Sequence, residues 1–227
     1  LPHGVTPADV MSKRLALASG LRRPVGCVWP SPGPQHGGQL DLWVGDQDIA
    51  TARQPGYPLL ERGTTSAFSP LPYGTNQRGR KVGVTLIENN VLVGAMVGQG
   101  KTSGMRVLGL GLALDVTVEL HVGELKGSGD LACLEPVAHF YRSGQDDETI
   151  RLVVEDLKQV REDIERRAAV IKRIAKETPA LCPNNKVTRE LANRRGLGLH
   201  PVAVLLNEVQ NLYSHEVHGK EAAKLVL

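Results

Sequence analysis

Aromatic side chains are scarce in this sequence, at 4% of residues, so it has little to stack against the bases of a single-stranded nucleic acid. Its three cysteines, Cys27, Cys133 and Cys182, lie far apart and form no C-x-x-C pair. That spacing excludes a disulfide framework and points to reduced thiols in a cytoplasmic setting. No stretch approaches the roughly 18 consecutive apolar residues of a membrane span, and the start has no signal-peptide pattern. No membrane segment is therefore expected in this chain, and any association with a membrane would come through segments or partners outside it. Charge of one sign is not in excess either. A net +3 at pH 7 permits a polyanionic partner without demanding one, and a duplex backbone suits this composition better than exposed bases. No internal repeat or low-complexity tract is present.

At 227 residues, 41% of them apolar, the chain can build one domain of ordinary size and a smaller companion. It begins with Leu1 and ends inside the apolar run AAKLVL, which suggests a piece of a longer protein. Residues 1–73 are rich in Pro and Gly, with SPGPQHGGQ between VGCVW and LDLWV after a helical stretch, VMSKRLALASG. They read as a small α+β module containing a strand pair. From residue 74 onward the grammar changes. Lys81–Ile87 alternates, Val91-Leu92-Val93 has the continuous β-branched character of a buried parallel strand, Thr102–Leu114 is helical in composition and Val116–Val122 returns to strand. This is the βαβ order of an α/β fold with a parallel sheet and flanking helices. A long helix is expected from Glu148 to about Lys176, with apolar residues at 150, 153, 157, 160, 164, 168, 171 and 174 forming one stripe. Pro201–Leu206 reads as another buried strand.

Between the 91–93 segment and the helix stands GAMVGQGKT. Ala95, Met96, Val97, Gly98, Gln99, Gly100, Lys101 and Thr102 fit the phosphate-loop pattern, with Ala95 where its first Gly usually stands. Each residue type has a reason to be there. Gly98 and Gly100 let the backbone turn its N–H groups inward around phosphate oxygens, and the following helix presents its positive end to the same anion. Lys101 would reach the terminal phosphates of ATP, and the Thr102 hydroxyl would bind Mg²⁺. The usual partner of such a loop is an apolar strand ending in a metal-side carboxylate and a water-activating Glu. VAVLLNE ends in Asn207 and Glu208 instead. Glu208 occupies the place of the base. Asn207 occupies the metal side, where a neutral amide adds no charge and weakened Mg²⁺ binding is expected.

Four segments in order carry a family resemblance. YGTNQRGRKVGVTLIENNVLVGAMVGQGKT resembles the opening of the motor domain of FtsK/SpoIIIE DNA translocases. VELHVGELKGSGDL is similar to that family's second strand, with Glu124 and Lys126 at its acidic residue and nearby Lys. DLKQVREDIERRAAVI resembles its long helix, through Glu165, Arg166 and Arg167, and GLHPVAVLLNEVQNLYSH its Walker B strand. The style of ELKGSGDL and HPVAVLLNEVQ is most similar to actinobacterial conjugation proteins of this family, which move double-stranded DNA between cells. The likeness spans about residues 70–227. It implies a RecA-like P-loop ATPase domain over 74–227, incomplete at its C-terminus, assembled as a homo-oligomer, a hexameric ring around double-stranded DNA. ATP would sit between subunits with an arginine supplied by the neighbour. Asn207 departs from the family's Asp and opens an alternative, a nucleotide-binding scaffold or protein-secretion ATPase of the same superfamily with weakened hydrolysis.

Other features carry less. His215 and His218 are three apart but lack the convergent ligands of a metal site, so a surface helix start is the plainer reading. Arg194 and Arg195 could meet DNA phosphates or a neighbouring nucleotide, although loop arginines are usually only solvated. No Ser-His or Cys-His arrangement accompanies Lys101, which argues against covalent catalysis. A small-molecule kinase would also use GxGKT, yet no acceptor-site signature is present.

Overall fold

Thr6 and Asp9 cap each other's backbone at the first helix of the computed structural model, which describes residues 1–96 and 98–226. The Thr6 N–H donates to the Asp9 carboxylate at 2.8 Å, and Pro7 opens α1 (Pro7–Ser12) at a position where its missing donor costs nothing. α2 (Arg14–Gly20) follows, then the antiparallel pair β1 (Val28–Pro32) and β2 (Leu40–Val44), as the VGCVW and LDLWV segments suggest. Arg14 ties helix to strand. Its guanidinium lies 3.9 Å from the Trp29 ring centre while donating to the Val28 and Val25 carbonyls.

The contacts divide the chain into two units, Leu1–Leu60 with Gly74–Val82, and Glu61–Tyr73 with Gly83–Leu227. A second two-stranded sheet pairs β3 (Leu71–Thr75) with β4 (Lys81–Val84). The second unit carries the α/β architecture. α3 (Lys101–Ala113) leads to β5 (Glu119–Glu124), and β6 (Phe140–Ser143) precedes α4 (Asp147–Glu177). The short α5 (Arg189–Ala192) is followed by β7 (Val202–Asn207), α6 (Gln210–Tyr213) and α7 (Gly219–Val226). The three strands are parallel in the order β6-β5-β7, so β5 is central and buried from Leu120 to Glu124.

Side chains alternate across this sheet. Leu120 and Val122 join Leu112 of α3, Leu131 and Leu134 in one core, with Ala203 and Leu205 of β7 against it. On the other face Ile150, Val153, Val154 and Leu157 of α4 pack with Leu125, Leu206 and Leu212. Asp146 caps α4 by accepting from the Thr149 N–H at 3.0 Å, and Asp147 and Glu148 place negative charge at the positive end of the helix. The expected apolar stripe of α4 is interrupted. Ile164 is exposed, and contact resumes at Val170 and Ile171, which pack with buried Ile174 against Cys182, Leu191 and Leu199 in a third cluster.

The chain before α3 departs from expectation. Strand pairing stops at Val84 rather than Ile87, and Val91-Leu92-Val93 forms no strand. Leu92 is 91% exposed. Three β-branched or apolar residues between Asn89-Asn90 and Gly94 have no intrinsic hold on extended pairing, and among the described residues no neighbouring strand accepts them. β7 is consequently an edge strand, half-buried where Pro201–Leu206 suggests full burial.

At Gly109 α3 packs tightly against Leu134 and the β7 residue Leu205. A Cβ there would lie 2.6 Å from Leu134 Cδ1 and 3.0 Å from Leu205 Cδ2. Gly109→Val should overpack this seam and cost about 1–3 kcal/mol. Thermal unfolding should then shift down by about 2–4 °C for each kcal/mol in a chain of this size.

Candidate functional site

Gly98 and Gly100 hold φ of 81° and 82°, a left-handed backbone that side chains resist, and nothing stands within 4 Å of where their Cβ atoms would lie. Gly100 is the N-cap of α3 and supplies no side chain to its first turn, so the leading N–H groups are without a side-chain acceptor. Lys101 and Thr102 are the first two residues of that helix, both half-buried. The Gln99 N–H donates to the Met96 carbonyl at 3.2 Å, which closes the turn, while Met96 itself is exposed. Ala95 lies in the irregular segment before it, and Val97 lies outside the described residues.

The end of β7 comes to the same place. Lys101 Nζ donates to the Glu208 carboxylate across 107 residues of sequence, and Gln210 Nε2 donates to its other oxygen. These bonds, with the charge of Lys101 and of Lys126, hold Glu208 below the ordinary carboxylate pKa. Glu208 has a φ of 56°, a conformation costing a non-glycine residue about 1–3 kcal/mol and concentrated at functional sites. Asn207, one residue earlier, is fully buried, and neither its Oδ1 nor its Nδ2 has a hydrogen-bond partner. Glu124 ends β5 directly beside it in register, also fully buried. Its carboxylate accepts from Ser128 Oγ at 3.3 Å, from the Gly129 N–H at 3.2 Å and from Ser143 Oγ. The structure thus brings Lys101, at the start of α3, to Glu208, the neighbour of Asn207, at the carboxyl edge of the parallel sheet, where open α/β sheets offer their binding crevice.

A second polar assembly, not foreseen from the sequence, occupies the opposite edge. His121 Nδ1 is 2.8 Å from Asp156 of α4, and its Nε2 is 3.1 Å from Glu119. Glu119 also meets His200, and Arg167 donates to Asp163 and to the His200 carbonyl. Arg166 donates to the Gly198 carbonyl at 2.8 Å. Arg166 and Arg167 therefore work here as a clamp between α4 and the approach to β7, while Glu165 faces Arg161 on the same helix. The available signal was the period-two placement of Glu119 and His121 on one face of an apolar strand. Arg194 and Arg195 line a depression of about 350 Å³ at this same edge with His200 and Gly196, remote from Lys101, and Arg194 is paired with Glu190 at 3.0 Å. His215 and His218 stack at 5.2 Å, and His215 meets Asp147. Among the described residues no three His, Cys, Asp or Glu side chains converge as metal ligands, and no helix is long and apolar enough to cross a membrane.

No family model matches this chain, and no curated protein or solved structure does either.

The His121 pair has a pH signature. Burial pushes the imidazole down, but hydrogen bonds and charge from Asp156 and Glu119 outweigh it and raise the pKa above the ordinary 6.5. Two carboxylates, one on each ring nitrogen, are both satisfied only by the doubly protonated ring. Burial raises Glu119, yet bonds from His200 and His121 bring it below 4.5. The His121 contribution is fully present below pH 6.5 and is lost as pH rises through the folded value; that of Glu119 is present above 4.5 and lost on acidification. His121→Gln should lower the melting temperature most near pH 6 and much less near pH 9, measured by circular dichroism. An equal loss at both would remove the imidazolium from the account.

Proposed function

We propose that this chain is the nucleotide-binding core of an ATP-driven motor on double-stranded DNA, of the FtsK/SpoIIIE kind. The observation that carries the reading is the meeting of Lys101, at the uncapped start of α3 behind two left-handed glycines, with Glu208 at the end of β7. A three-stranded parallel sheet flanked by helices is compatible with a RecA-like core. The residues present fit a phosphate-bearing ligand with a divalent cation. Open left-handed turns and unclaimed helix N–H groups suit phosphate oxygens, and an orphaned buried amide beside them suits a cation or its water.

In this reading Gly98 to Thr102 turn their backbone donors toward phosphate oxygens. Lys101 exchanges Glu208 for phosphate, and the released Glu208 carboxylate orients and deprotonates the attacking water. Mg²⁺, when bound, neutralises developing negative charge on the phosphate oxygens. Thr102 and Asn207 would hold it. Assembly as a ring, with an arginine from a neighbouring copy, would complete the site.

A second reading is favoured by one residue. Asn207 brings no negative charge, which suits a nucleotide-binding scaffold or protein-secretion ATPase with slow turnover. ATP hydrolysis by the protein with and without linear duplex DNA, beside Asn207→Asp, separates the two. A motor gives severalfold stimulation by DNA, with DNA affinity falling steeply as salt rises. Turnover in the Asp variant alone, without DNA dependence, supports the scaffold. Lys101→Ala should weaken binding of a fluorescent ATP analogue by about tenfold or more, equivalent to roughly 1.4 kcal/mol per decade; unchanged binding would remove the loop from both readings.

A further inference from the structure

Two adjacent parallel strands end in buried polar side chains whose needs are complementary. Asn207 is an amide with no partner, and Glu124 is a carboxylate with hydrogen bonds but, among the described residues, no cationic partner. A buried charge is ordinarily paired or coordinated to a metal, and a buried amide is ordinarily hydrogen-bonded. Both exceptions here are neighbours.

The register fixes where they face. Glu124 pairs with Asn207 on one side and Ser143 on the other, so the three side chains form one row across the carboxyl edge of the sheet. Two and four residues before Glu124, Val122 and Leu120 lie in the core shared with Leu112 and Met105 of α3. The intervening residues face α4, since His121 meets Asp156 and a Cβ on Gly123 would touch Val153. The row therefore belongs to the α3 face. The contact between Lys101 and Glu208, one residue beyond Asn207, brings the start of α3 to the same edge.

Resting on the nucleotide-binding reading above, we propose that Glu124 supplies the carboxylate, and Asn207 the neutral oxygen, of a divalent-cation site beside Thr102. The negative charge that Asn207 lacks is thereby provided one strand away. A carboxylate, an amide oxygen and a hydroxyl, completed by water and phosphate oxygens, form the hard oxygen set that Mg²⁺ or Mn²⁺ takes. The donors from Ser128, Gly129 and Ser143 hold the Glu124 carboxylate in place, in the manner of groups that orient a metal ligand.

The test uses the full chain, Mn²⁺ as the probe and a non-hydrolysable ATP analogue, with free Mn²⁺ read by electron paramagnetic resonance. Glu124→Gln should weaken Mn²⁺ binding in the presence of the analogue by about tenfold or more. Analogue binding in EDTA should be unaltered. Asn207→Asp gives a second readout in case Glu124→Gln does not fold. It sets two carboxylates side by side, so its melting temperature should drop without Mn²⁺ and rise more on adding Mn²⁺ with the analogue than that of the unmodified protein. Unchanged Mn²⁺ affinity in folded Glu124→Gln, or an Asn207→Asp melting temperature indifferent to Mn²⁺, overturns the proposal and leaves Glu124 as a latch for the loop after β5. An unmodified protein that binds no analogue overturns the nucleotide reading and this site with it; an analogue bound without any role for Glu124 or Asn207 overturns this site alone.

Discussion

The hydrogen-bond ladder between β5 and β7 is the constraint on which the rest of the second unit depends. It runs from Glu119 opposite Val202 to Glu124 opposite Asn207. A slip of one residue would turn every side chain to the other face. Leu120 and Val122 would leave the α3 core, His121 would lose Asp156, and Glu124 would no longer share a face with the start of α3. The Leu125 N–H extends the ladder by donating to the Asn207 carbonyl at 3.0 Å, and Asn211 Nδ2 donates to the Leu125 carbonyl at 2.8 Å. These bonds pin the segment that carries Glu208 to the end of β5.

The two edges of the sheet use polar groups for opposite purposes. At the amino edge, Glu119, His121, Asp156, His200 and Arg167 satisfy one another, and the result is a fastening between α4 and both strands. At the carboxyl edge satisfaction is incomplete. Asn207 has no partner, the first turn of α3 has no side-chain cap, and Glu208 sits in a costly backbone conformation. Unfinished hydrogen bonding and local strain cluster at functional sites more often than at structural seams.

The pairing of Lys101 with Glu208 fits that contrast. Both side chains keep about a quarter or a fifth of their surface in water, 25% and 20%. A largely enclosed ion pair gains Coulomb energy but has to offset the cost of taking both charges out of water. Such a contact positions two chemically useful groups that a competing anion can separate, whereas the His121–Asp156 pair is more enclosed, at 10% and 8%. The electrostatic reach of Lys126 on Glu208 means that the carboxylate would keep a cation nearby after losing Lys101.

What the sequence by itself determined is local. The 3.6-residue period and Asp146 specify α4, the glycines before Lys101 permit a turn that opens a helix, and the apolar runs Val116–Val122 and Pro201–Leu206 specify two strands of a parallel sheet, whose ends the structure moves to Glu119–Glu124 and Val202–Asn207. Each follows from backbone geometry and nearest-neighbour chemistry, which sequence order carries directly. The meeting of Lys101 with Glu208 was legible as a candidate because residue type and spacing in GxGKT and VAVLLNE suggest a shared chemistry. Only the tertiary structure decided that Val91–Val93 stays unpaired, because strand formation needs a partner that propensity cannot supply. It alone set Glu124 beside Asn207, turned Arg166 and Arg167 into a clamp, and separated Arg194 and Arg195 from the loop. Register and burial arise from contacts between segments distant in sequence, and those are energies of the folded chain as a whole.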